Sequence, residues 1–157
     1  MKGILIKIIV GILLISISDL QAQGAEKINF SFNHMALAVK DVDSSVVWYE
    51  KVFGFQPITN GAKSEGIRWM SINEGKELHL ISSIKGKVVT NKAIHLAFAT
   101  DDIEAFATKI KSMKMPYYDW LGRLYTITNR ADGVKQIYIQ DLDEYWIEIN
   151  NGYTRSK

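Results

Sequence analysis

The chain has 157 residues, 47% of them hydrophobic, with four Trp and a formal net charge of +2. This balance describes a globular domain with a real core and excludes a disordered chain. The charge is small and scattered, with no run of Lys/Arg interleaved with aromatics, which excludes a nucleic-acid surface.

The chain contains no Cys. Disulfides and thiolate ligands are therefore ruled out, and any metal site must use imidazole, carboxylate and water. The first residues read as a leader. Met1-Lys2 starts a short basic region, Ile8 to Ile17 is apolar, Ser18-Asp19 are polar, and small residues follow at Ala22, Gly24 and Ala25. That order predicts a signal peptide over 1–22, cleaved after Ala22 or Gly24. The apolar stretch is shorter than the ~20 residues of a membrane span, which favours removal over an uncleaved anchor. The expectation is a secreted or periplasmic protein with no membrane contact once the leader is gone.

The first strand is predicted over Phe30 to Val39, with Met35, Leu37 and Val39 on one face and His34, Ala36 and Ala38 on the other. Asp41-Val42-Asp43-Ser44 supplies helix-start chemistry. The helix then carries Val46, Trp48, Tyr49, Val52 and Phe53, and Gly54 ends it. Phe55 to Thr59, Ile67 to Ile72 and Glu77 to Ser83 follow as strands, the last two joined by a turn at Asn73-Glu74-Gly75-Lys76. Lys85 to Asn91 is a connector, after which the order repeats. His95 to Thr100 is a strand, Asp101-Asp102 a cap, and Ile103, Phe106, Ala107, Ile110 and Met113 mark a helix that Pro116 stops. Tyr117-Tyr118 begins a short strand, Trp120 to Asp132 carries no clear element, and Lys135 to Gln140 and Tyr145 to Asn150 are the final strands. The prediction is an α+β fold over 30–151, made of two βαβββ modules (30–84 and 93–151).

His34-Met35-Ala36-Leu37-Ala38-Val39 and His95-Leu96-Ala97-Phe98-Ala99-Thr100 are near-copies of one strand. Together with Trp48-Tyr49-Glu50-Lys51-Val52-Phe53-Gly54-Phe55, Glu77-Leu78-His79-Leu80 and Ile147-Glu148-Ile149, they make the chain resemble the vicinal oxygen chelate superfamily. That superfamily includes glyoxalase I, fosfomycin-resistance enzymes, extradiol dioxygenases and methylmalonyl-CoA epimerase. The resemblance implies that the two modules form a cupped mixed sheet, helices outside, with a divalent metal inside the cup. It also implies two modules paired within one chain or exchanged between two, so a homodimer is compatible with the pattern.

Four residues are candidate metal ligands: His34, His79, His95 and Glu148. Each has apolar neighbours in its strand, and ±1 neighbours point to the opposite face, so all four side chains share the other one. Small residues (Ala36, Ala38, Ala97, Ala99) leave room beside them. Three imidazoles and a carboxylate suit Zn, Fe, Mn, Ni or Co, and the His34, His95, Glu148 subset has the two-His, one-carboxylate composition of non-haem iron sites. By resemblance Glu148 serves as both ligand and catalytic base, while His79 stands where glyoxalase I commonly has a second Glu. The expected activity is that of an exported glyoxalase-like lyase or isomerase acting on a small substrate with vicinal oxygens. An Fe(II) extradiol-type dioxygenase and a non-catalytic small-molecule binding or resistance protein are the alternatives.

Overall fold

The computed structural model describes residues 28–82, 86 and 88–152, so the predicted leader lies outside the described residues. The chain divides into two units, Met1–Ser31 and Phe32–Lys157, and every helix and strand described belongs to the second. Among the described residues no helix is long and apolar enough to cross a membrane.

The first module runs β1 (His34–Ala38), α1 (Val42–Phe53), β2 (Gln56–Ile58), β3 (Ile67–Asn73) and β4 (Lys76–Ile81). The second runs β5 (Leu96–Ala99), α2 (Ile103–Ser112), β6 (Thr128–Asn129), β7 (Lys135–Gln140) and β8 (Trp146–Asn150). Each module builds its own four-stranded mixed sheet. The orders are β1-β4-β3-β2 and β5-β8-β7-β6, so both sheets run first, fourth, third, second. In each, the first and last strands are parallel and the others antiparallel. The duplication read from the strand copies is thus a duplication of topology. No strand of one sheet pairs with a strand of the other among the described residues.

Local chemistry explains the helices. Asp41 caps α1 by accepting from the Ser44 amide at 2.7 Å, and Asp102 caps α2 by accepting from Ala105 at 2.8 Å. Gly54 ends α1 at φ +76°, where a side chain would be strained. The end of α2 differs from the sequence expectation. Lys114 turns left-handed at φ +58° and the Met115 amide reaches back to the Ile110 carbonyl, so the helix closes at Ser112, before Pro116 acts.

Strand alternation sorts most side chains as expected, but Ile94, expected to face the core beside His95, lies exposed in the turn ahead of β5. Leu37, Met70, Leu78, Leu80, Ile137, Ile139, Ile147 and Ile149 are buried in one continuous core with Tyr49, Val52, Ile103 and Ile110. Each such aliphatic side chain contributes about 1.5–3 kcal/mol on burial. The modules meet through an aromatic cluster in which Phe53 lies 5.2 Å from Phe98 and 5.7 Å from Phe106 between ring centroids. Polar ties reinforce the junction: the Tyr49 hydroxyl donates to Asp141 Oδ2 at 2.7 Å, and the Tyr145 hydroxyl donates to the Ala38 carbonyl at 3.1 Å.

Candidate functional site

The register of each sheet fixes which side chains can meet. Ala36 pairs with His79 in the first sheet, and Ala97 pairs with Glu148 in the second. His34 and His95 each stand two residues before those alanines. His34 with His79, and His95 with Glu148, are therefore equivalent diagonal pairs across the parallel strands of the two modules.

In the first module the two imidazoles stack face to face, with centroids 4.2 Å apart and planes 12° from parallel. Trp69, paired with His79 in register, covers the other face of His79 at 4.2 Å and 2°. Gly61 supports this stack, since a Cβ there would come within 3.0 Å of the Trp69 ring. His79 Nε2 lies 2.7 Å from Glu77 Oε2, and a carboxylate accepts, so Nε2 carries the proton. His34 Nδ1 likewise donates to Asn33 Oδ1 at 2.7 Å, which leaves its Nε2 lone pair uncommitted. An imidazole lone pair lies in the ring plane, so one ion cannot lie in both planes of a parallel stack. His34 and His79 do not jointly chelate in this arrangement, and His34 is the one with Nε2 available.

The second pair is arranged differently. His95 Nδ1 donates to the Lys92 carbonyl at 2.7 Å, and its Nε2 faces Glu148 Oε2 at 3.2 Å. Glu148 is buried. Its Oε2 accepts from the Tyr138 hydroxyl at 2.6 Å, its Oε1 accepts from Asn150 Nδ2 at 2.8 Å, and Arg130 Nη1 is 3.7 Å away. Burial and the adjacent Glu148 carboxylate push the Tyr138 phenol well above its ordinary value, so it stays a donor. A neutral Nε2 lone pair aimed at a carboxylate oxygen is repulsive unless a cation lies between them. Two donor atoms on one ion, each at ~2.1 Å, sit about 3 Å apart, so the observed spacing fits a metal as well as a proton.

Within one chain the four candidates stand as two pairs. Among the described residues no group of three or more His, Asp or Glu side chains converges tightly enough to hold an ion. The sequence reading missed Glu77, Tyr138, Asn150 and Lys92. Glu77 was legible from its place two residues before His79 on the same strand face. The others depend on pairing across strands and loops. Of the arginines, Arg68 pairs with Asp43, Arg123 with Asp119, and Arg130 with Asp132 as well as Glu148.

The family model described as Glyoxalase/Bleomycin resistance protein/Dioxygenase superfamily matches residues 31–149. The chain belongs to this superfamily. YwbC of Bacillus subtilis is 28% identical over 123 residues, covering 74% of this chain and 94% of its own. The metallothiol transferase FosB of Shouchella clausii is 26% identical over 126 residues, covering 76% and 79%. Among solved structures, a lactoylglutathione lyase from Agrobacterium tumefaciens superposes with a TM-score of 0.63 at 18% identity, covering 83% of this chain and all of that one. Its likeness is one of fold. The superfamily's βαβββ duplication accounts for the twin strand orders and for the equivalent diagonal pairs described above.

Proposed function

We propose that the protein is a divalent-metal-dependent enzyme of the glyoxalase type, a lyase or isomerase for a small substrate with vicinal oxygens. Its ligands in this reading are His34 Nε2 from one copy of the chain and His95 Nε2 with Glu148 Oε2 from a second copy. The observation that carries the reading is the His95–Glu148 spacing of 3.2 Å, with His95 Nδ1 already donated elsewhere. The division of the candidates into one pair per module, with no cluster of three among the described residues, supports drawing on a second copy. The metal is one of Zn, Fe, Mn, Ni or Co.

A bound divalent ion supplies Lewis acidity to substrate oxygens. The chain's own groups then handle protons. Glu148, fixed by Tyr138 and Asn150, takes a proton from the substrate carbon beside the polarised carbonyl. His79, fixed by Glu77 and stacked beside His34, serves as the second proton carrier that an isomerisation needs. The leader pattern supports export. Because glutathione is chiefly cytosolic, the substrate of an exported enzyme is something other than a glutathione adduct.

The Glu77–His79 tie also favours a second reading. With His79 tied to Glu77, His34, His95 and Glu148 would be the protein groups holding the ion, the two-His, one-carboxylate composition of an Fe(II) dioxygenase acting on a catechol. The deciding experiment uses full-length protein purified without chelator. Elemental analysis is expected to find a divalent ion. His34→Ala and Glu148→Ala variants, each metal-poor alone, are expected to regain binding when unfolded together and refolded as mixed dimers, because one of the two sites is then intact. No metal in the natural protein would leave a small-molecule binding protein, and no recovery on mixing would sink the two-copy site. Turnover of α-ketoaldehydes or hemithioacetals, against oxygen uptake with catechols, separates the two enzyme readings.

A further inference from the structure

Lys92 lies in the turn Asn91–Ile94, just ahead of His95. Its ammonium is enclosed by three rings, with Nζ 4.2 Å from the Trp146 centroid, 5.4 Å from Tyr138 and 5.9 Å from Tyr118. It donates to the Asp119 carbonyl at 3.1 Å and to the Trp120 carbonyl at 3.4 Å. These groups belong to β7, β8 and the loop before β6, so one side chain ties the end of the connector to three parts of the second module. The ring faces and carbonyl oxygens replace the water the ammonium gives up. Desolvation lowers the Lys92 pKa, with the charge of Asp119 opposing the shift.

The other end of the same residue grips the site. The Lys92 carbonyl accepts from His95 Nδ1, and Tyr138, which the ammonium faces, donates to Glu148 and stands edge-on to the His95 ring. The turn's own bonds, Ile94 amide to Asn91 carbonyl and Ala93 amide to Asn91 Oδ1, fix its shape. The ammonium's contacts with Tyr118, Tyr138 and Trp146 reach from this turn to the sheet.

We infer that Lys92 is a positioning residue: its caged side chain holds its own carbonyl against His95, which selects the tautomer that leaves Nε2 facing Glu148. This deepens the metal reading, but its first test needs no metal. The chain has only three histidines, so long-range ¹⁵N–¹H spectra of the metal-free, full-length protein resolve each ring. In alkaline buffer, where no proton bridges Nε2 to Glu148, His95 is expected as a single Nδ1–H tautomer, and His79, tied to Glu77, as Nε2–H. Lys92→Met keeps the aliphatic stem and removes the charge. It is expected to turn His95 into a mixture of tautomers while His79 is unchanged, and to weaken Zn(II) binding about 10–100-fold, as losing a ligand's supporting partner does. Lys92→Arg, which still faces the rings with a cation, is expected to restore the single tautomer. Trp146→Leu opens the cage without touching Lys92 and decides the matter if Lys92→Met does not fold. A single Nδ1–H tautomer of His95 in the folded variant overturns the inference. Absence of Zn(II) binding by the natural protein overturns the metal reading alone, with the tautomer result still deciding the role of Lys92.

Discussion

His95 Nε2 stands 3.2 Å from Glu148 Oε2 while the opposite nitrogen of the same ring is bonded to the Lys92 carbonyl. A ring nitrogen and a carboxylate oxygen held this close, with Tyr138 and Asn150 donating to the carboxylate, form a pair that a shared cation would hold together. His95→Ala and Glu148→Gln are each expected to weaken Co(II) binding by more than the roughly 10–100-fold that a supporting partner is worth. Tyr138→Phe is expected to fall within that range. Titration followed by the d–d absorption of cobalt reads both. Equal affinity in all three variants and the natural protein would remove the pair from the site.

His34 and His79 are expected to behave differently although they touch. With His79 Nε2 given to Glu77, His79→Gln should leave metal content at the natural level and abolish most turnover, whereas His34→Ala should lose the metal itself. Elemental analysis beside activity makes the comparison. Loss of metal in His79→Gln would return His79 to the ligand set.

The contact between Tyr49 and Asp141 is a stability element. Tyr49 is fully buried, and its hydroxyl donates to a carboxylate that also accepts the amides of Asp143 and Tyr145. Tyr49→Phe is expected to cost about 1.5–3 kcal/mol, the range for a hydrogen bond to a charged group.

That loss should depend on pH. Burial raises the Asp141 pKa above the ordinary carboxylate value, with the Tyr49 bond pulling the other way. The folded state therefore binds the proton more tightly than the unfolded chain. Asp141 adds stability that is complete below the ordinary value and is lost as pH rises through the raised one. Removing the hydroxyl raises the folded pKa further, so the cost of Tyr49→Phe should shrink on acidification. Urea unfolding of both proteins at neutral and mildly acidic pH measures it. An unchanged difference would mean that Asp141 does not titrate in this range.

Glu144 occupies a left-handed conformation, φ +67°, in the turn joining β7 to β8, where its amide donates to the Asp141 carbonyl. A side chain there costs about 1–2 kcal/mol that glycine avoids. Glu144→Gly is expected to raise the melting temperature by roughly 2–6 °C, allowing for the added freedom of the unfolded chain. A fall in melting temperature would show that the Glu144 side chain contributes more than its backbone strain costs.

The sequence by itself determined the order of the two modules, the buried faces of β1, β4 and β8, and the capping residues Asp41, Asp102 and Gly54. These follow from periodicity and short-range chemistry, which act over a few residues and are written in consecutive positions. It also placed His34, His79, His95 and Glu148 on strand faces with small neighbours. Only the tertiary structure decided that they stand as two pairs, and that the Lys92 ammonium settles among Tyr118, Tyr138 and Trp146. Those outcomes depend on strand register and on how a connector settles across a sheet, where contacts distant in sequence compete and local preference carries no information about the winner.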